Sequence, residues 1–155
     1  MYCEGTPVQE IAEEFGTPLY LYSKQQLLEN FRSIDSEFAG IDHTICYALK
    51  ANSNHELLKL LVGEGAGADV VSGGELYLAL KAGFSPNKIA FAGVAKRDDE
   101  IEYALKNNIF SFNVESIPEL DVINEIAVRL NTKLVLHCAL IRILMRQRIR
   151  IFQQG

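Results

Sequence analysis

The feature that most constrains this chain is an alternation between short runs of β-branched or aromatic residues and longer segments with helical periodicity, from Leu19 to Arg129. Repeated βα units of this kind are typical of a parallel sheet covered by helices. Counted from His43, the pattern predicts five strands and four intervening helices, at a spacing of roughly 20 to 25 residues. The alternation therefore predicts an α/β fold.

Polar residues mark where the helices begin. Capping boxes start at Ser23, Ser72 and Ser116, and Asn54 can cap a further helix. Gly40 and Gly83 are suited to end the helices before them. Another helix is predicted over Asp98–Lys106. The predicted strands are Leu19–Tyr22, His43–Leu49, Ala68–Val71, Lys88–Ala92, Ile109–Val114 and one that starts within Lys133–Leu136.

Two architectures fit this order of elements. One is an open, doubly wound sheet, and the other is the first portion of a closed (β/α)8 barrel. A closed barrel needs about 250 residues, whereas this chain has 155. No Gly-x-Gly-x-x-Gly motif follows the first strand and no phosphate-binding P-loop motif occurs, which argues against dinucleotide and nucleoside-triphosphate folds. The pattern alone leaves both architectures open.

Composition excludes several classes of protein. Fifteen basic against twenty acidic residues give a net charge of −5, which argues against a general binder of nucleic acid or anionic membranes. No uncharged apolar run approaches the roughly 18 to 20 residues that cross a bilayer, and the N-terminus lacks a signal-peptide pattern. Three distant cysteines and three histidines without ligand spacing predict reduced thiols and no metal site. We therefore expect a cytoplasmic protein with neither a nucleic-acid nor a membrane partner.

Lys50 is the strongest candidate for chemistry, because it follows the strand predicted over His43–Leu49. Reacting groups of parallel α/β folds gather at the carboxyl ends of the strands. A lysine behind an apolar strand can be desolvated, which favours the neutral amine that a Schiff base requires. Asp69 lies in the next strand, where an acid among apolar neighbours needs a partner such as Lys50. The alternatives are an exposed lysine and a carboxylate bonded to backbone.

Gly73 and Gly74 follow the strand that contains Asp69. Backbone N–H groups at such a turn can hold a phosphate, but a tight turn from strand into helix explains the two glycines more simply. Both interpretations place the pair at the same edge of the sheet as Lys50.

Five segments carry a family resemblance, in matching order and spacing. They are Gly16–Tyr22, Tyr47–Asn52, Ala68–Leu76, Phe91–Lys96 and Phe112–Ser116. Together they resemble the N-terminal part of the diaminopimelate decarboxylases, which are fold-type III pyridoxal-phosphate enzymes with an alanine-racemase-like barrel. The resemblance implies the first portion of a (β/α)8 barrel, without the family's C-terminal β domain.

The same resemblance implies a site and a reaction. Lys50 matches the lysine that binds pyridoxal 5'-phosphate, and Asp69 matches the acid beside it. The family converts meso-2,6-diaminopimelate into L-lysine and CO2 and is expected to work as a homodimer. The chain has no counterpart of the family's phosphate loop, of the acid that pairs with the pyridine nitrogen, or of its substrate-binding segments. We therefore expect little or no decarboxylation by these residues alone.

The last eighteen residues differ in character from the rest, because residues 138–155 hold four arginines and no acid. Codons permitted for this segment, read from the third base of Cys138, encode R-I-N-P-N-L-D-A-T-T-H-P-Y-I-S-T-G, which fits the continuation of the family. We therefore divide the chain into a partial pyridoxal-phosphate-binding barrel domain, residues 1–137, and a basic tail, residues 138–155, produced by a frameshift near His137.

Two other functions stay open at this point. One is another pyridoxal-phosphate decarboxylase, or a racemase, of the same fold. The other is a non-catalytic barrel protein that binds pyridoxal phosphate. The segments at residues 72–76 and 112–116 favour the diaminopimelate decarboxylases over related enzymes, and a binding protein would need a complete barrel.

Overall fold

The computed structural model describes residues 1–133 and the strand Leu136–Cys138. It begins with a small unit outside the main sheet. Strand β1 (Tyr2–Cys3) pairs antiparallel with β2 (Thr6–Pro7), and helix α1 (Val8–Phe15) follows directly. The sequence pattern did not predict these elements. The two-residue strands are too short to show an alternation, whereas α1 does carry a helical signal that was not used, with apolar residues at Val8, Ile11, Ala12 and Phe15. The basic tail predicted over residues 138–155 lies, apart from Cys138, outside the described residues and stays a prediction.

The strand predicted over Leu19–Tyr22 is wrong, because this segment is irregular. Its apolar side chains face outward, and Tyr20 is 91% exposed. A strand requires a neighbour for its backbone hydrogen bonds, and none of the described strands pairs with this segment. β-branched and aromatic residues fit a pleated surface only where such a surface exists.

Five parallel strands and the helices between them form the main body, as the alternation predicts. The strands are β3 (Cys46–Ala48), β4 (Gly67–Val70), β5 (Ile89–Phe91), β6 (Ser111–Val114) and β7 (Leu136–Cys138). The helices are α2 (Lys24–Glu37), which precedes β3, and then α3 (His55–Gly63), α4 (Gly73–Ala82), α5 (Asp98–Lys106) and α6 (Ile117–Arg129). Strands β3, β5 and β6 are shorter than predicted, because residues at their ends belong to turns and loops, whereas β4 has the predicted length and begins one residue earlier.

The strand order decides between the two architectures. The sheet runs β3-β4-β5-β6-β7, with every neighbouring pair parallel. A doubly wound sheet reverses its strand order and carries helices on both faces, whereas this order never reverses. Right-handed crossovers then place the helices on one face, where α3 contacts α4, α4 contacts α5 and α5 contacts α6. This is the arrangement of a (β/α) barrel.

The pleat of the strands gives the sheet two different faces. Val70, Phe91 and Phe112 are register partners on the helix-covered face, and none of them has exposed surface. The rings of Phe91 and Phe112 stack with their centroids 5.7 Å apart. The helices α3 to α6 each add a fully buried residue, namely Leu58, Leu76, Ile101 and Ile123. The opposite face, the inner face of a barrel, carries a register row that we call the inner row, made of Ala48, Asp69, Ala90 and Ser111.

Predicted side-chain caps begin the helices. Ser72 Oγ accepts a hydrogen bond from the backbone N–H of Glu75 at 3.2 Å. The return bond of this capping box differs from the expected one, because the Glu75 carboxylate accepts from the N–H of Val71, the residue before the cap, at 2.9 Å. Glu75 thereby ties the start of α4 to the end of β4. The other predicted caps that accept a backbone hydrogen bond are Ser23, Asn54 and Ser116.

Candidate active site

Lys50 lies at the carboxyl edge of the sheet, as predicted. Strand β3 ends at Ala48, one residue earlier than expected, and Leu49–Ala51 forms a single 3-10 turn. Leu49 is buried and anchors this turn in the core. The Lys50 side chain is exposed, so the expectation of a desolvated lysine is wrong and the alternative, an exposed lysine, is what the structure shows. The Tyr47 hydroxyl donates to the carbonyl oxygen of Asn52 at 3.3 Å and closes the loop around the turn. The fold therefore presents the Lys50 amine at the rim of the barrel.

Asp69 lies on the inner row, directly beside the strand that leads to Lys50. Its register partner on β3 is Ala48, two residues before Lys50. The carboxylate atom Oδ1 is buried and has no hydrogen-bond partner among the described residues. Burial raises the pKa of Asp69, and the positive charge of Lys50 opposes that rise.

Lys50 and Asp69 thus interact through their charges. No ion pair within 4.0 Å joins them among the described residues, so the expected pairing of Asp69 with Lys50 is not observed, and the two residues are neighbours on adjacent strands. The alternative interpretation of Asp69, a carboxylate bonded to backbone, does not apply to Oδ1. A desolvated acid beside a rim lysine is an arrangement often found at functional sites.

A second rim lysine, Lys96, has a different environment. Its Nζ donates to the carbonyl oxygens of Gly93 at 2.6 Å and Asn113 at 2.8 Å, and to the carboxylate of Glu119 at 2.6 Å. The side chain is only 1% exposed. Since an ammonium group has three protons, each proton of Lys96 is engaged. Lys96 is therefore a structural cation that joins the loop after β5 to β6 and α6.

Lys96 was not among the site residues predicted from the sequence. The pattern that identified Lys50, a lysine after an apolar strand, also occurs at Lys96. Position along the chain could not separate the two lysines, since only the tertiary contacts of Lys96 give it three acceptors. The structure therefore leaves Lys50 as the rim lysine with an accessible amine in the part of the chain it describes.

The turn at Gly73 and Gly74 is occupied by protein groups. The N–H of Gly73 donates to Glu100 Oε1 at 2.7 Å. A Cβ at position 73 would lie 3.0 Å from Cγ of Glu100, so glycine permits this close approach. This hydrogen bond ties the start of α4 to the start of α5 and engages the N–H of Gly73. It therefore supports the tight-turn interpretation over a phosphate site at Gly73.

The inner face carries a thiol and an open cavity. A cavity of about 400 Å³ is lined by residues that include Cys46, Ala90, Ser111 and Asn113. Burial, and then the negative charge of Asp69, raise the pKa of the Cys46 thiol, which favours its protonated form. Cys3 and Cys46 are both free thiols.

Two further kinds of site, a membrane span and a metal centre, are absent from the described residues. None of the described helices is long and apolar enough to cross a membrane. The same part of the chain contains no group of three or more histidine, cysteine, aspartate or glutamate side chains placed to hold a metal ion. The predicted cytoplasmic location stays a prediction.

Fold and site together define a class: the first portion of a parallel (β/α) barrel with a lysine and a desolvated acid at the carboxyl rim. Residues 24–147 match the family model described as the pyridoxal-dependent decarboxylase, pyridoxal binding domain. The chain belongs to this family.

The chain is similar to known decarboxylases of this family. The chain is 52% identical over 133 residues to a diaminopimelate decarboxylase of Aquifex aeolicus, covering 86% of this chain and 31% of the relative. A Helicobacter pylori diaminopimelate decarboxylase, crystallised with L-lysine, has a TM-score of 0.81 and 45% identity, covering 84% and 33% of the two chains. A Vibrio vulnificus lysine/ornithine decarboxylase in complex with putrescine has a TM-score of 0.72 and 26% identity, covering 83% and 34%. The chain spans about a third of the length of these relatives.

Proposed function

We propose that this chain supplies the cofactor-binding part of a diaminopimelate decarboxylase, which converts meso-2,6-diaminopimelate into L-lysine and CO2. The observation that carries the proposal is the placement of Lys50 beside Asp69 at the carboxyl edge of the sheet. The identity of 52% to the Aquifex relative supports this reaction in particular. We further propose that the complete protein works as a homodimer, as expected for the family.

The residues present fit pyridoxal 5'-phosphate. Lys50 would hold the cofactor covalently through its amine, and the unpartnered Oδ1 of Asp69 lies one strand away from the Lys50 turn. When bound, the cofactor supplies an electron sink for the carbanion that loss of CO2 leaves behind. The protein contributes by positioning Lys50 and Asp69 around that centre and by setting the charge of the Asp69 carboxyl.

Asp69 and Lys50 then divide the proton chemistry. A lysine forms a covalent bond to a carbonyl carbon only as the neutral amine. The raised pKa of Asp69 makes its carboxyl a stronger proton acceptor than an exposed aspartate, and the positive charge of Lys50 opposes that rise. Asp69 is therefore suited to take and return a proton close to Lys50. Lys96, whose protons are all donated within the fold, does not compete for this role.

The other functions have less support. The identity of 26% to the lysine/ornithine decarboxylase, against 45% to the Helicobacter diaminopimelate decarboxylase, disfavours a different basic amino acid as substrate. A racemase or a non-catalytic binding protein of the same fold has no observation that favours it over a decarboxylase.

The function is tested best in a complete barrel. Residues 24–133 of this chain would replace the matching segment of the Aquifex aeolicus relative, and the chimera would be assayed with pyridoxal phosphate and meso-diaminopimelate. We expect L-lysine and CO2, and the loss of both products in the Lys50→Ala chimera. A chimera that binds pyridoxal phosphate but decarboxylates lysine or ornithine in preference to diaminopimelate would refute the proposed substrate.

A further inference from the structure

Two buried side-chain oxygens lack a hydrogen-bond partner in the described part of the chain. They are Asp69 Oδ1 and Ser111 Oγ, and Ser111 is only 1% exposed. Desolvating a polar group without giving it a partner is costly, so such groups in native proteins need an explanation. Asp69 has a proposed role as a proton acceptor beside Lys50, whereas the Ser111 hydroxyl has no role in that chemistry.

The two oxygens belong to the same row of the sheet. Asp69 pairs in register with Ala90, and Ala90 pairs with Ser111. Register partners of a parallel sheet point to the same face, so all three side chains project toward the inside of the barrel. With neighbouring strands about 4.8 Å apart, the Cα atoms of Asp69 and Ser111 are separated by about 10 Å.

The residue between them leaves room for a small polar molecule. The Ala90 side chain is a single methyl group. Ala90 and Ser111 line the cavity of about 400 Å³, which extends toward the amino ends of the strands, whereas Asp69 is the register neighbour of Ala90 and is not among the lining residues. A carboxylate only accepts hydrogen bonds, whereas a serine hydroxyl donates one and accepts others. A water molecule above Ala90 could donate to Asp69 Oδ1 and bond with Ser111 Oγ at the same time.

We propose that Asp69 and Ser111 hold an ordered water above Ala90, and that Ser111 is a positioning residue for the Asp69 carboxylate. The inference rests on the proposed function in one respect only, namely that the oriented carboxylate acts on Lys50. The other titratable groups that face Asp69 are Lys50 and Cys46, through their charges. Neither of them hydrogen-bonds to Oδ1, which leaves this oxygen able to accept from the proposed water.

The test is a titration of Asp69 in the cofactor-free chain. Aspartate labelled with ¹³C at Cγ reports each carboxyl by NMR, and Asp69→Asn assigns the resonance. A hydrogen bond donated to a carboxylate lowers its pKa, so removing the water must raise the midpoint. We expect Ser111→Ala to move the Asp69 midpoint upward and Ser111→Thr, which keeps the hydroxyl, to restore it. Ser85→Ala removes an exposed serine hydroxyl elsewhere and is expected to leave the midpoint unchanged.

A second variant tests the space instead of the hydroxyl. Ala90→Val fills the gap and excludes the water while it leaves both polar groups in place, so we expect it to raise the midpoint as Ser111→Ala does. An Asp69 midpoint that neither Ser111→Ala nor Ala90→Val changes would overturn the proposal. A crystal structure of the cofactor-free chain in which Ser111 Oγ bonds directly to a protein group would also overturn it. Because no pyridoxal phosphate is present, these results do not depend on whether Lys50 binds the cofactor.

Discussion

At the scale of single residues, two lysines that occupy equivalent sequence positions have opposite properties. Lys50 and Lys96 each follow a strand of the same sheet, yet the Lys50 side chain is exposed and that of Lys96 is 1% exposed. The three acceptors around Lys96 engage every N–H of its buried amine, so this amine is not available for a reaction. Neighbouring strands and helices therefore decide which rim lysine can react.

Removing the Lys96 charge should be strongly destabilising. Lys96→Met leaves the Glu119 carboxylate, which is 11% exposed, buried without its cation. Breaking a buried ion pair by removing one partner typically costs about 3 to 5 kcal/mol. We expect a decrease of that size in the free energy of unfolding by urea, and a smaller decrease in Lys96→Met/Glu119→Leu.

An exposed ion pair provides the matched control for Lys96. Lys59 pairs with Glu56 at 3.1 Å, with its side chain 52% exposed. Lys59→Met should change the unfolding free energy by less than about 1 kcal/mol. Equal effects of the two substitutions would contradict the structural role given to Lys96.

Asp69 makes stability depend on pH in a direction that can be calculated. Burial raises its pKa in the folded chain, so the folded state binds this proton more tightly than the unfolded state does. This carboxyl therefore favours folding as the pH falls and costs stability as the pH rises through its folded pKa. Asp69→Asn removes that dependence.

The expected result is a pH-dependent difference between the wild type and Asp69→Asn. Stability of the variant relative to the wild type should be greatest near neutral pH and should decrease on acidification through the folded pKa. Urea unfolding at a series of pH values measures this difference. A difference that grows on acidification would mean that Asp69 is stabilised as the carboxylate, contrary to its burial.

At the scale of elements, helices were easier to predict than strands. Asp98–Lys106 has the predicted bounds, because three acids in its first turn and a basic residue in its last turn complement the helix dipole. The cap at Ser72 likewise depends on residues three positions apart. By contrast, the false strand at Leu19–Tyr22 and the short strand β3 depended on pairing partners far along the chain.

The features of the site also differ in how far they could be predicted from local sequence pattern. The strand ends place Lys50 and Asp69 at one edge, and this placement was predictable because it follows from local pattern and fold class. The unpartnered Ser111 hydroxyl and the three acceptors of Lys96 were not predictable, because they depend on register and on contacts between distant segments. The strand order that decides for a barrel is likewise a property of the whole sheet.

Glycine in β4 provides a test of how closely the strands pack. A Cβ at Gly67 would lie 2.4 Å from the carbonyl oxygen of Lys88 and 2.8 Å from the sulfur of Cys46. The carbonyl belongs to the backbone and cannot move without disturbing the sheet. We expect Gly67→Ala to lower the free energy of unfolding by about 2 kcal/mol or more, measured with urea.

Gly63 offers the same substitution without the clash. It lies at the end of α3, and a Cβ there would meet nothing within 4 Å. Gly63→Ala should be neutral or stabilise the chain by up to about 1 kcal/mol, through its helix propensity. A loss at position 63 as large as that at position 67 would contradict the packing described for β4.

At the scale of the whole molecule, the gene is expected to contain a shifted reading frame near codon 137. Residues 138–155 are rich in arginine and hold no acid, and permitted codons can be chosen for them so that the alternative frame encodes a continuation typical of the family. Sequencing this region should yield R-I-N-P-N-L-D-A-T-T-H-P-Y-I-S-T-G when it is read from the third base of codon 138. Nucleotides that do not encode this string would refute the frameshift and leave residues 138–155 as a genuine basic tail.

The central claim is that Lys50 is the residue that holds pyridoxal phosphate, and covalent trapping tests it most directly. The chain is incubated with pyridoxal phosphate, reduced with sodium borohydride, digested and mapped by mass spectrometry. We predict that the cofactor mass is found on Lys50, that Lys96 is unlabelled because its amine is buried and fully bonded, and that Lys50→Ala abolishes the label. Label on another lysine, with none on Lys50, would contradict the account.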